Sequence, residues 1–520
     1  MSFNLTKKAI LKKTAQFGTL TFFSRIFGII REMLVARILG VGAISDAFLT
    51  ALKIPSFLRR IFAEGSLSAA FVPVFVRKVR EKDEKQANGL MTLSFLFFEG
   101  IVLIMVALVA IYPRQVLYFA APGFSQEQLK YAIPFLRILF PMIFFFSGSA
   151  LLAGALNSVN HVFIPAFGPV VNNIIFIAFL FGALYFKFSV STVCFGVLLS
   201  SLIVFLMHLY VYFKYNFKFS VPTDKSYAAL KSVLSKFIPS LLGVSIIEIN
   251  LFIDTAIASF LNAGSLSMLH YAGRFMNMPI GIFAVSFATI LLPHFSRCAS
   301  YAPKRLNFHI LETTKIITWL LLPATIFLIF VSEEIFTILM FGNVTSLENA
   351  LIAKWLLILY SIGIVFYALN KILVNVFYAM HDTVSPTIAL VVATFINFGL
   401  NIVGMIYFGV FGIAASTTIS GISLTLFYFY FLYRKYRFKF YFANYFNFLA
   451  KYILQISAIF IFSSILYKTF FYLLKNTNYY DFFRNGQGFW IITMSIALAA
   501  FVILYKTKKL FGIKIYYLSK

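Results

Sequence analysis

Five arginines hold most of the chemical potential of this chain. Arg25, Arg31, Arg59, Arg60 and Arg274 each stand inside a stretch that is otherwise apolar and long enough to cross a bilayer. A guanidinium in hydrocarbon costs about 2.5 to 3.5 kcal/mol or more, so it survives where it faces water, an opposite charge or a substrate. Arg25 lies about twelve residues into the first span, roughly 18 Å at ~1.5 Å per residue, which is near mid-bilayer. Arg31 follows about a third of a turn further around the helix, with Gly28 between them as a place to bend. Arg59 is again at depth on the second span, and Arg274 on the eighth has no acid at its i±3 or i±4 positions. Arg60 differs, because Glu64 at i+4 puts an opposite charge on the same helix face and a structural ion pair is expected.

The acids within or beside the spans are few, mainly Glu32, Asp46, Glu64, Glu248 and Asp254, and cations at this depth imply a water-filled chamber and an anionic ligand. The guanidinium fork matches phosphate oxygens two at a time, so pyrophosphate is the expected group. Asp46, just after the turn Gly40-Val-Gly-Ala-Ile-Ser45, has two readings. It caps the second helix, where an acid suits the dipole, or it belongs to the binding set. A second constellation is oxygen-rich: Asp254 on the seventh span, with Asn397, Asn401 and Thr417 on the eleventh and twelfth. These are the ligand types of a sodium site, although Asn and Thr in spans also serve as interhelical hydrogen-bond partners. The chain contains no P-loop, no H-E-x-x-H and no nucleophile elbow. It is therefore expected to be a transporter rather than an enzyme, without a cofactor, driven by sodium or the membrane potential. Cys194 and Cys298 show no C-x-x-C or zinc-like Cys/His spacing and are read as structural thiols.

The elements that must position these residues are helices. The chain has 520 residues, of which 61% are hydrophobic and 12% charged, and apolar runs recur from end to end. The reading is an all-α polytopic membrane protein with fourteen transmembrane helices, beginning near residues 14, 45, 87, 127, 165, 190, 228, 265, 308, 348, 385, 411, 445 and 488. The basic start is not followed by a small-residue cleavage site, so the first run is expected to be retained as a helix. Lys and Arg total 44 against 17 Asp and Glu, a formal charge of +27. The cations concentrate in alternate loops, at Arg77 to Lys85, Lys214 to Lys225, Arg297 to Arg305, Arg434 to Lys439 and the tail from Lys506. That asymmetry predicts both termini cytoplasmic and assigns the basic charge to loops beside anionic membrane lipids rather than to a nucleic-acid partner.

An internal duplication organises the spans. Ala36-Arg-Ile-Leu-Gly-Val-Gly-Ala-Ile-Ser45 resembles Ala258-Ser-Phe-Leu-Asn-Ala-Gly-Ser-Leu-Ser267 at an offset of 222, and the loops before Pro165 and Pro386 align at 221, with His161 opposite Asp382. Six spans per period is an even number, so the halves run the same way through the membrane as two pseudo-symmetric six-helix lobes. The expected organisation is a lobe at 1–220, a lobe at 221–440, and an accessory helix pair with a basic tail at 441–520.

Several motifs point to a known family: Phe23-Ser-Arg-Ile-Phe-Gly-Ile-Ile-Arg-Glu32, Asp46-Ala-Phe, Ile54-Pro-Ser-Phe-Leu-Arg-Arg-Ile-Phe-Ala-Glu-Gly65, Ala70-Phe-Val-Pro73, Pro165-Ala-Phe-Gly-Pro169, Leu242-Gly-Val-Ser245, Tyr271-Ala-Gly-Arg274 and Leu291-Leu-Pro293. Together they resemble the MurJ/MviN lipid II flippases of the multidrug/oligosaccharidyl-lipid/polysaccharide exporter superfamily. The run from Arg59 to Pro73 is the most specific part. The resemblance implies translocation of lipid II, the undecaprenyl-pyrophosphate disaccharide-pentapeptide, to the outer leaflet of the bacterial inner membrane for peptidoglycan synthesis. It implies functional charges at Arg25, Arg31, Asp46, Arg59 and Arg274 and a polyprenyl groove on the last two helices; alternating access is the mechanism expected, and cell-wall synthesis machinery an expected partner. Where many relatives place acids around the eighth-span arginine, this chain has Gly273 and Asn277. Two rival readings are a flippase for another polyprenyl-pyrophosphate-linked polysaccharide unit and a non-transporting membrane scaffold of cell-wall assembly.

Overall fold

The computed structural model describes residues 7–60, 66–81, 83–159, 161–301, 303–340, 346–477, 479–484, 486 and 488–518. Among these residues there is no strand. The chain forms two compact units, Met1–Ser267 and Met268–Lys520.

In the first unit α1 (Lys7–Leu39), α2 (Ala43–Arg59), α3 (Leu67–Arg80), α4 (Glu84–Ile111) and the short α5 (Pro113–Ala120) lead into α6 (Gln126–Leu139) and α7 (Met142–Ser158). They are followed by α8 (Phe163–Phe186), α9 (Val190–Lys214) and α10 (Asp224–Ala258). Local chemistry sets the helix starts. Asp83 accepts from Gln86 N ahead of α4, and Ser125 with Gln128 forms a reciprocal capping box ahead of α6. The core beneath them is aromatic: Tyr212 stacks on Phe217 with centroids 5.2 Å apart, and Phe98 meets Phe237 edge-on at 5.0 Å. Because Phe237 belongs to α10, which packs on α3 and α4, the seventh span joins the first unit by packing although it opens the second repeat by sequence.

The second unit takes over within α11 (Ser265–Pro279) and contains α12 (Val285–Tyr301), α13 (Pro303–Phe330), the single turn α14 (Ser332–Glu334), α15 (Leu347–Ile362) and α16 (Ile364–Ala379). After these come α17 (Val384–Tyr436), α18 (Phe442–Leu474), the short α19 (Tyr480–Arg484) and α20 (Gly488–Thr507). A π-helical stretch, Ile280–Ala284, follows Pro279 and joins α11 to α12. The continuous α17 is two spans joined at Gly409, whose φ of 58° and ψ of −132° no helix contains. Around that break the backbones nearly touch, and a Cβ on Gly412 would lie 2.0 Å from the Gly404 carbonyl oxygen. In the accessory pair, Gln455 on α18 donates to Leu504 O on α20, and Tyr452 donates to Trp319 O on α13.

Nine described helices are long and apolar enough to cross a bilayer, or ten if α15 and α16, which meet at 42°, make one span. Dividing α17 at Gly409 adds another. The three expected spans that remain are α1, α2 with α3, and α10, whose apolar runs are interrupted by Arg25, Arg31, Lys53, Arg59, Glu248 and Asp254. Helix boundaries also recur with the period of the duplication. α6 and α15 begin at 126 and 347, α8 and α17 begin at 163 and 384, and α9 and α17 end at 214 and 436. His161 Nδ1 lies 2.8 Å from the Tyr215 hydroxyl, and at the equivalent positions the Tyr436 hydroxyl donates to Asp382 at 2.7 Å.

Candidate substrate-binding site

On α1, Arg31 is held by its neighbours. Nη1 donates to Asn173 Oδ1 on α8 at 2.9 Å, Nη2 meets Glu32 Oε1 at 2.7 Å, and Cζ stands 5.4 Å from the centre of the Phe176 ring. Asn173 in turn donates to Ser24 O, so one amide fixes both the α1 backbone and the guanidinium. Arg25, a turn and a half earlier, is exposed. On α2 the half-buried Arg59 lies over Phe146 of α7 at 4.9 Å, a cation–π contact that orients the head group.

Arg60 Nε is 2.9 Å from Glu248 Oε2 on α10, off the line of a hydrogen bond, and so forms an ion pair. The partner expected from local spacing, Glu64, lies outside the described residues. Two further contacts repeat the pattern: Lys53 Nζ meets Thr255 Oγ1, and the Phe57 and Phe252 rings are 4.9 Å apart. As residue numbers rise on α2 they fall on α10, so the helices run antiparallel and join through long side chains. Lys53 was not singled out from the sequence. Its signal is the seven-residue spacing Asp46, Lys53, Arg60, two helical turns each, which puts all three on one face.

Asp46 is fully buried, and its own helix starts without a side-chain cap. Its carboxylate reaches across the chain instead. Oδ2 accepts from Gly264 N at 2.7 Å and from Gln128 Nε2 at 3.1 Å, and Oδ1 accepts from Ser267 N at 2.8 Å. Asp46 thus caps the turn that starts α11 rather than α2. The two junctions of the internal duplication thus meet each other. Gly264 has φ +99°, and a Cβ there would sit 2.5 Å from Val41 of the other junction, so both backbone and space require glycine.

In the second unit Arg274 is exposed on α11, its Nε 3.4 Å from His270 Nε2 one turn earlier. Asn277 donates back to Gly273 O. In the oxygen-rich constellation, Asn401 Nδ2 donates to Asn397 Oδ1 at 3.0 Å, both fully buried on α17, and Thr417 Oγ1 donates to Ile413 O on its own helix. Asp254 is half-buried on α10, in the other unit. At the start of α17, Asp382 accepts from the backbone N–H of Val384 and Ser385 and from Lys435 Nζ at 2.8 Å. Burial opposes its charge, but the hydrogen bonds from Lys435, Ser385 and Tyr436 win and hold its carboxyl below the usual carboxylate range. The two cysteines part company: Cys194 is buried on α9, whereas Cys298 lies beside His294 and His309.

The family model described as lipid II flippase MurJ matches residues 35–484, which include Asp46, Arg59 and Arg274. The chain belongs to the MurJ lipid II flippase family. It is 32% identical over 422 residues to the probable lipid II flippase MurJ of Buchnera aphidicola subsp. Acyrthosiphon pisum, covering 79% of this chain and 81% of that one. With the probable lipid II flippase MurJ of Vibrio cholerae it shares 29% identity over 437 residues, at 81% and 82% coverage. A solved lipid II flippase MurJ in an inward closed conformation superposes with a TM-score of 0.76 at 28% identity, covering 95% of this chain and 99% of the other. An inward-facing multidrug resistance MATE transporter of the MOP superfamily, at TM-score 0.64 and 16% identity, shares the fold alone. This MurJ family member is thus a multi-pass membrane protein of a flippase family.

Proposed function

We propose that this protein carries lipid II from the inner to the outer leaflet of the bacterial inner membrane by alternating access, with both termini cytoplasmic. The observation that carries the reading is the MurJ match over residues 35–484 in a chain that keeps cations at mid-span. Arg25, Arg31, Arg59 and Arg274 are the groups assigned to the pyrophosphate, each offering a fork of N–H donors to two oxygens. Arg25 and Arg274 are exposed on helices that hydrocarbon would penalise, which supports a wet surface at both. Arg31 is the switchable member: Glu32 and Asn173 occupy its two terminal nitrogens, and a phosphate can take their place. Asp46 serves the site indirectly, by tying the two repeat junctions together. Sodium at Asp254 or at Asn397, Asn401 and Thr417 is proposed as one coupling route, with the membrane potential as the other.

The test replaces the native flippase in a depletable bacterial strain and measures lipid II headgroup exposure on the outer leaflet. The unaltered chain is expected to restore exposure, and an Arg59→Ala, Arg274→Ala variant of equal abundance to lose it. Full rescue by that double variant refutes the arginine clamp. Exposure of a different polyprenyl-pyrophosphate glycan in place of lipid II refutes the substrate.

A further inference from the structure

Away from the arginines, three side chains converge that none of the transport chemistry uses. His294 and Cys298 stand four residues apart on one face of α12, near its end, and His309 comes from the first turns of α13. One donor atom from each lies within 4.8 Å of the others, Cys298 Sγ is 3.7 Å from His294 Nε2, and the two imidazoles meet edge to face at 4.3 Å. All three belong to the second unit. His309 is buried and the other two are half-buried, so the donors are withdrawn from bulk water without being sealed from it.

We propose that His294, Cys298 and His309 bind one divalent cation of the zinc type, with water as fourth ligand. Two imidazoles and a thiolate form the borderline-soft set that zinc selects, and oxygen-seeking ions such as magnesium or sodium do not. In a tetrahedral site with bonds of about 2.3 Å to sulfur and about 2.05 Å to nitrogen, sulfur and nitrogen are roughly 3.5 Å apart. The 3.7 Å of the α12 pair needs little adjustment, and the set as a whole, spread over up to 4.8 Å, closes by about 1 Å as His309 moves in. A thiol–imidazole hydrogen bond alone accounts for the α12 pair, but not for a third donor brought in by another helix. Outer partners are present as well: the Tyr517 hydroxyl lies 3.0 Å from His309 Nδ1, and an Nδ1–H donated to it fixes the ring with Nε2 turned to the metal. Arg305 lies near enough to His309 to oppose a cation, Glu312 offsets it only in part because it is also paired with Lys315 at 2.7 Å, and the thiolate cancels one of the two charges brought by the ion. Glu312 also accepts from Tyr516 N at 2.6 Å, so an ion here pins α12 to the helix on which the C-terminal turn Tyr516–Leu518 sits.

The experiment titrates cobalt(II) into full-length protein, purified on a histidine-free tag and stripped with chelator. A single equivalent is expected to give a near-ultraviolet thiolate-to-cobalt charge-transfer band and visible bands of tetrahedral intensity, both abolished by excess zinc. Cys298→Ser removes the charge-transfer band, Cys194→Ser leaves it, and Tyr517→Phe weakens binding by about tenfold. Absence of the band in the unaltered protein, bands of octahedral intensity only, or a band that persists in Cys298→Ser each overturns the site.

Discussion

Removing the Asp46 carboxylate isolates the contact that joins the two repeat junctions. Its oxygens accept two backbone N–H bonds, from Gly264 and Ser267, and one side-chain bond from Gln128, all inside a fully buried pocket. Hydrogen bonds to a charged group contribute about 1.5 to 3 kcal/mol each, so losing the two backbone bonds in Asp46→Ala costs roughly 3 to 6 kcal/mol against local opening. At about 1.4 kcal/mol per factor of ten, that is a hundredfold to ten-thousandfold faster amide exchange at Gly264 and Ser267. Asp46→Asn keeps one acceptor oxygen and turns an NH2 toward the other donors, so it is expected to lose about half of that free energy. Hydrogen exchange of detergent-solubilised protein, read on peptides spanning residues 258–270, measures this directly. Unchanged exchange there in a folded Asp46→Ala variant refutes the reasoning, because the carboxylate is the acceptor for both amides.

Further predictions rest on separate contacts. The Arg60–Glu248 pair is part-exposed on its arginine side, so a double-mutant cycle with Arg60→Met and Glu248→Gln should give a coupling of about 0.5 to 1 kcal/mol in thermal unfolding, and a value indistinguishable from zero removes the pair from the α2–α10 seam. Gly264→Ala combines a left-handed backbone with a Val41 clash and should destabilise by about 1 to 3 kcal/mol, whereas Gly273→Ala, with open space around its Cβ, should be close to neutral. Asp382 has a folded-state pKa below its unfolded value of about 3.9, so its stabilisation is present above pH ~4 and is lost as pH falls toward the lower folded value. Melting temperature should therefore fall on acidification through that window in the native protein and fall less steeply in Asp382→Asn; parallel curves would show that the Lys435–Asp382 contact carries no linkage.

What the sequence determined by itself is what depends on neighbours along the chain. Apolar run length and turn residues located the spans, because a helix in lipid must satisfy its backbone within its own segment. Offsets of 221 and 222 located the duplication, which the helix ends at 214 and 436 repeat. Mid-span arginines marked the candidate site, since only a few residues of that type appear where burial is costly. Partnership across the chain was not legible. Arg60 meets Glu248 and Asp46 meets Gly264 and Ser267, each about two hundred residues away, because α10 and the turn that follows it return to lie along α2. The same reason hid the His294, Cys298 and His309 cluster: two of its members are four residues apart on one helix, but a three-donor set exists only where α13 folds back against α12. Spacing along a chain sets which side chains share a helix face, and only tertiary packing decides which face they meet.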